Sequence, residues 1–243
     1  MNTSEKLRLD EALVARGLYT SRARARDAVL RGTILVNGEP ARKPSQNIYP
    51  EQVIAVADGA QAYVSRAALK LIHAMDHFKL EAKGRRALDL GASTGGFCQV
   101  LLERGATEVI AIEVGHGQMV LEDPRIKLME GMNARDLTVE EVPQNVSLIT
   151  CDVSFIPLHI ALEAALDLVA EGSWLVALVK PQFEVGRSGL ARGGIVRDAG
   201  LRQQACEDVA DYVRRKGWRV LGVIDSPMDG GDGNEEYLLA AVK

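Results

Sequence analysis

RALDLGASTGGFCQVLLERG, residues 86–105, is the stretch on which the fold of this chain turns. An apolar run ends in Asp89, a loop holds Gly91, Ser93, Gly95 and Gly96, and a helical spacing then runs to Gly105. A strand that feeds a glycine loop and then a helix opens the backbone and the helix N-terminus to a ligand. Two chemistries fall away at once. Dinucleotide binding requires GxGxxG, and Ser93 occupies the place of its second glycine. GASTG matches GxSxG, which would make Ser93 a hydrolase nucleophile, but that arrangement needs an acid and then a histidine later in the chain. The histidines are His73, His77, His116 and His159, and the last 84 residues have none.

Outward from this stretch, helical and strand-like patterns alternate. SRAALKLIHAMDHF (65–78) precedes it as a helix, and EVIAI, RIKLM, SLITC and WLVALV follow as strands. IPLHIALEAALDLVAEG and DAGLRQQACEDVADYVRRKG read as later helices, and WRVLGVI with EYLLAAV as a closing strand pair. Such alternation predicts an α/β fold with a mostly parallel sheet over residues 65–243. The composition agrees with a globular chain: 243 residues, 47% of them apolar, net charge −4. The apolar runs fall far short of the roughly 20 residues that span a bilayer, and no leader-like start is present. Cys98, Cys151 and Cys206 are odd in number and lack ligand spacing, so reduced thiols, no structural metal and a cytoplasmic location are expected.

The charge is divided unevenly. Through Leu88 there are 15 basic and 9 acidic residues; from Asp89 onward there are 14 and 24. The basic front also has its own pattern. LRLDEALVARGL predicts a helix stopped near Gly17, and SRARARDAVLRG predicts a second, capped by Ser21, that displays arginines. TILVNGEPA sets a strand before the hairpin dipeptide Asn37-Gly38, and EQVIAV reads as a further strand. Residues 1–58 thus form a small separate module, with 59–64 as linker. This α+β pattern resembles the S4-type RNA-binding domain. The resemblance implies that Arg22, Arg24, Arg26 and Arg31 contact RNA phosphates.

A third reading of the glycine loop remains. DxGxxxGG after a first strand resembles the S-adenosylmethionine loop of class I methyltransferases, which have an acid at the end of the next strand for the ribose hydroxyls; Glu113 stands there, 22 residues after Gly91. Asp152 and Lys180 end two further strands, at the rim where ligands of open α/β sheets collect. A lysine after a long apolar run needs a partner or a function, and Asp152 is positioned to pair with it. Lys70 adds a second positive charge. Glu236 reaches the same rim if the last strand runs antiparallel.

Lys70, Asp152, Lys180 and Glu236 match the tetrad of the FtsJ/RrmJ-type ribose 2′-O-methyltransferases. The strings AYVSRAALKL, LDLGASTGGF, DVSFI, VKPQFEVG and GNEEYLL further resemble the TlyA family, which joins such a domain to an S4-type module. The resemblance implies a class I, Rossmann-like fold with a seven-stranded sheet whose last strand is antiparallel. It also implies S-adenosylmethionine-dependent methylation of cytidine 2′-hydroxyls in ribosomal RNA, with Lys180 as base. Asp89, Gly91, Ser93, Gly95, Gly96, Phe97, Glu113, Asn133, Ala134 and Asp152 then belong to the cofactor site. Glu113 departs from the aspartate common in the family but keeps the carboxylate, and Glu235 competes with Glu236 for the tetrad place. The loop GRSGLARGGIVRD (186–198) is expected to fold over RNA. Because the chain stops soon after EYLLAAV, the large subunit and its 23S RNA are the favoured partner over 16S RNA. The rivals are a non-catalytic RNA-binding assembly factor and a cytolysin, the second without any amphipathic lytic helix to support it.

Overall fold

The computed structural model describes residues 6–243. Contacts divide the chain after Ala62 into two compact units, each with its own core, and a 3-10 turn at Gly59–Ala62 ends the first.

In the small unit two helices, Leu9–Ala15 and Arg22–Leu30, bury Leu9, Leu13, Ala25 and Ala28 against Ile34. Ser21 caps the second by accepting the Arg24 amide at 3.3 Å. Asn37 and Gly38 both take left-handed φ, 51° and 85°, the geometry of a type I′ turn, and join Ile34–Val36 to Glu39–Pro40. Ile54–Val56 pairs on the other side. One pairing escapes the sequence pattern: Leu7–Arg8 lies antiparallel to Asn47–Ile48, too short a ladder for any periodicity to announce.

The larger unit is built on seven strands, β1 (Arg86–Leu90), β2 (Glu108–Glu113), β3 (Ile126–Glu130), β4 (Val146–Cys151), β5 (Trp174–Val179), β6 (Arg219–Asp225) and β7 (Tyr237–Val242). Their order in the sheet is β6-β7-β5-β4-β1-β2-β3. The pairs among β1 to β5 are parallel, and β7 is antiparallel to both of its neighbours, as the family resemblance implies. Helices cover both faces, so the central strands are apolar throughout, and every residue of β5 is buried. Leu88, Leu90, Ile110 and Ile112 point into one core; Ala87, Val109 and Ala111 point into the other. The run 156–172 forms two short helices, Leu158–Ala161 and Glu163–Leu168, where the pattern predicts one.

This topology positions the site. The chain winds from β1 outward to β2 and β3 on one side and to β4 and β5 on the other, so a crevice opens where β1 and β4 end. Reversal of β7 then pairs Tyr237 with Val179 and brings the start of the last strand to the same rim.

Candidate active site

Gly91 leaves β1 with φ +80°, and a Cβ there would lie 2.8 Å from the Asp152 carbonyl oxygen. Only glycine lets the two loops approach so closely. Ser93 follows with φ 46°. The Glu113 carboxylate accepts the amides of Ser93 (2.9 Å) and Gly115 (2.8 Å) and thereby ties the first loop to the end of β2. A cleft of about 640 Å³ opens beside them. It brings together Gly91, Ser93, Glu113, Asn133, Ala134 and Asp152, with Ile112, Met132 and Ile156 as apolar wall. A smaller hollow of about 180 Å³ shares Gly91, Ser93 and Asp152 and adds Gly96, Phe97 and Lys180.

Two residues expected at the cofactor site lie elsewhere. Asp89 is fully buried beneath the loop, accepting from Thr150 Oγ1 at 2.7 Å and Cys98 Sγ at 3.1 Å. Burial pushes its carboxyl up to about 6, against the two hydrogen bonds. It therefore braces the loop from below. Gly95 faces Met119 and Leu121, where any Cβ would collide, and lines neither cavity.

The four ionisable residues form two ion pairs at the strand ends. Lys180 Nζ lies 2.7 Å from Asp152 Oδ1 and donates to Ser154 Oγ at 2.9 Å. Lys70, from the helix Ala67–Phe78, pairs with Glu236 in a position where both side chains are buried. The sequence suggests Lys70 as a second charge beside Lys180; in the structure its charge is matched by Glu236. One step beyond the Tyr237–Val179 pairing, Glu236 and Lys180 stand at neighbouring strand ends, which sets the two pairs on one rim. Glu235 instead pairs with Arg202 at 3.1 Å, in agreement with Glu236 as the residue turned inward.

Several neighbours had no signal in the sequence. Phe155 is 91% exposed with φ 65°, its ring 5.1 Å from that of Phe183. An apolar ring held outward by a left-handed backbone is costly. Buried Asn234 donates to the Gly194 carbonyl (3.1 Å) and accepts the Val196 amide (2.9 Å), and Asp232 joins it to Gln182. The arginine loop is thus pinned at its base, rather than loose. Such contacts join residues tens of positions apart, where no spacing rule operates.

In the small unit the four arginines divide. Arg31 is a correction: both terminal nitrogens bind Asp58 at 2.7 Å and its Nε binds Asp27 at 2.9 Å, with the side chain only 17% exposed. Its guanidinium is committed to the fold. Arg22 pairs with Asp10 and Glu11 yet stays 55% exposed, Arg24 is half-buried and Arg26 exposed. Arg31→Ala would strand the buried Asp58 carboxylate, and we expect it to destabilise this unit by about 3 kcal/mol. Arg26→Ala should leave stability unchanged. Denaturant melts of the two variants check the contrast.

A sheet of this order, opening at its switch point onto a nucleoside-sized cleft, is the architecture of class I methyltransferases. The chain belongs to the TlyA family of FtsJ-like methyltransferases: the FtsJ-like methyltransferase model matches residues 63–243 and the S4 domain model residues 7–54. It is 42% identical over 240 residues to the 16S/23S rRNA (cytidine-2′-O)-methyltransferase TlyA of Mycobacterium tuberculosis, covering 97% of this chain and 90% of that one. It is 33% identical over 252 residues to the 23S rRNA (cytidine-2′-O)-methyltransferase TlyA of Campylobacter jejuni, covering 95% and 97%. A solved structure from Streptococcus thermophilus, carrying a provisional hemolysin name, superposes with a TM-score of 0.75 at 36% identity over 99% of this chain and 90% of that one.

Proposed function

We propose that this protein transfers a methyl group from S-adenosylmethionine to the ribose 2′-hydroxyl of a cytidine in ribosomal RNA, with 23S RNA the favoured substrate. The observation that carries this reading is the Lys180–Asp152 pair, set in the hollow that adjoins the cleft, with the Lys70–Glu236 pair at the neighbouring strand end. 23S RNA is common to the names of both relatives above.

The cleft suits the cofactor. Gly91 lets the Asp152 loop close against the end of the first strand and shape the cleft, Glu113 presents a carboxylate to ribose hydroxyls, and Asn133 and Ala134 border an apolar wall fit for adenine. Gly96 and Phe97 line the hollow toward the methionine end. When bound, S-adenosylmethionine supplies an electrophilic methyl on a sulfonium. A ribose hydroxyl is a weak nucleophile, so the protein's work is alignment and removal of a proton. Lys180 orients the attacking oxygen and, acting as the base, takes its proton at Nζ, which Asp152 Oδ1 holds in place at 2.7 Å. Lys70 and Glu236 hold the network around that hydroxyl.

RNA contacts come from Arg22, Arg24 and Arg26 in the small unit and from Arg187, Arg192 and Arg197, all exposed, on the pinned loop. Phe155 offers its ring for base stacking at the cleft mouth. Such a substrate puts the enzyme in the cytoplasm with the ribosome. Among the described residues no helix is long and apolar enough to cross a membrane.

The test is labelled methyl transfer from S-adenosylmethionine to unmodified 30S and 50S subunits separately. Label in 50S RNA, mapped to a cytidine 2′-oxygen, is the expected outcome. No label on either subunit or on free RNA, despite cofactor binding, would return the protein to the class of non-catalytic assembly factors.

A further inference from the structure

Glu184 ends the short helix Pro181–Glu184, which starts directly after Lys180. Its Oε1 accepts the Leu158 amide at 2.9 Å. Leu158 opens the helix Leu158–Ala161, and Pro157 before it has no side-chain group to cap that end. Between Asp152 and Leu158 the chain is irregular, and every residue of 152–157 lines the large cleft. This wall is fastened to the segment 180–184 at three successive points. Asp152 meets Lys180 at 2.7 Å, Phe155 meets Phe183 at 5.1 Å between ring centres, and Leu158 meets Glu184. The first fastening is the reacting pair itself. The last is the one furthest from the chemistry.

We propose that Glu184 is a positioning residue of the reaction: its carboxylate fixes the far end of the cleft wall, and so keeps Asp152 in register with Lys180. The inference rests on the methyltransferase reading above and assigns a part to a residue that touches neither substrate nor cofactor. A carboxyl is suited to the task, since it offers the uncapped Leu158 amide an oxygen that accepts whether or not the acid is ionised. It is also costly to the fold. Burial, reinforced by Asp208, pushes the carboxyl up to about 7. Among the described residues it has no ion pair to offset that cost. A half-buried acid without a cation, bound to the rim of the site, fits a role in geometry better than one in stability.

Three purified full-length variants test this, Glu184→Ala, Glu184→Gln and Glu184→Asp, each assayed for turnover, RNA KM, cofactor Kd and melting temperature. Loss of the anchor lets the wall shift, and a displacement of 1 Å can cost about 100-fold in rate. Glu184→Ala is expected to lower kcat about tenfold or more, with RNA KM and cofactor Kd unchanged and no fall in melting temperature. Glu184→Gln keeps the acceptor and length, and should retain kcat to within about threefold; the shorter Asp should resemble Ala. Wild-type kcat in Glu184→Ala would overturn the proposal while leaving the methyltransferase reading intact, as would a Gln variant as impaired as Ala. An inactive wild-type enzyme would instead count against the reading on which it rests.

Discussion

Lys180→Ala will lower methyl transfer to the ribosomal subunit by about 10²- to 10⁴-fold, the range over which a positioned proton acceptor usually acts. Cofactor affinity should stay close to wild type. Lys180 reaches the small hollow and is absent from the wall of the large cleft, which keeps Gly91, Glu113, Asn133 and Asp152 in the variant. Lys180→Arg sharpens the result. Arginine preserves the positive charge beside Asp152 but cannot give up its proton near neutral pH. If Lys180 serves only to place a charge, the Arg variant keeps substantial turnover; if it handles the hydroxyl proton, Arg is as damaging as Ala. We expect the second outcome. Labelled transfer to 50S subunits, with calorimetric titration of S-adenosylmethionine on the same preparations, separates chemistry from binding, and normal turnover in Lys180→Ala would remove this residue from the mechanism.

Much of this site is legible in the sequence because its parts stand at strand ends. Asp152 and Lys180 break two apolar runs at their carboxyl ends, and in a parallel sheet such ends share one edge, so their pairing at 2.7 Å follows from topology. Glu236 needed one more assumption, the reversal of β7, which its register with β5 supplies. What periodicity cannot show is which way a residue next to a loop turns. Asp89 ends the same apolar run that opens the glycine loop, yet it turns down to Thr150 and Cys98, not up to the cleft. Arg31 belongs by spacing to a basic helix, but Asp58, 27 positions later, takes its guanidinium. Leu162 carries no breaker chemistry, and the helical run still divides there, into Leu158–Ala161 and Glu163–Leu168. The turns of Asp89 and Arg31 are decided by partners far along the chain, to which local propensity has no access.

The pair formed by Lys70 and Glu236 permits stability and catalysis to be measured apart. Their side chains are only 6% and 4% exposed. Removing one partner leaves the other charged and buried, which costs about 3–5 kcal/mol. Lys70→Met and Glu236→Leu should therefore each lower the melting temperature, by about 10 °C for a unit of this size. The combined variant removes both charges and fills the space with apolar atoms, and exchanges of that kind are often neutral or stabilising. We expect Lys70→Met/Glu236→Leu to melt near or above the wild type and yet to transfer no methyl group. That divergence is the point of the experiment. A pair that were only a strut would return activity together with stability, whereas a pair that holds the ribose hydroxyl beside Lys180 cannot be replaced by hydrocarbon. Recovery of turnover in the combined variant would reduce the reacting set to Lys180 and Asp152.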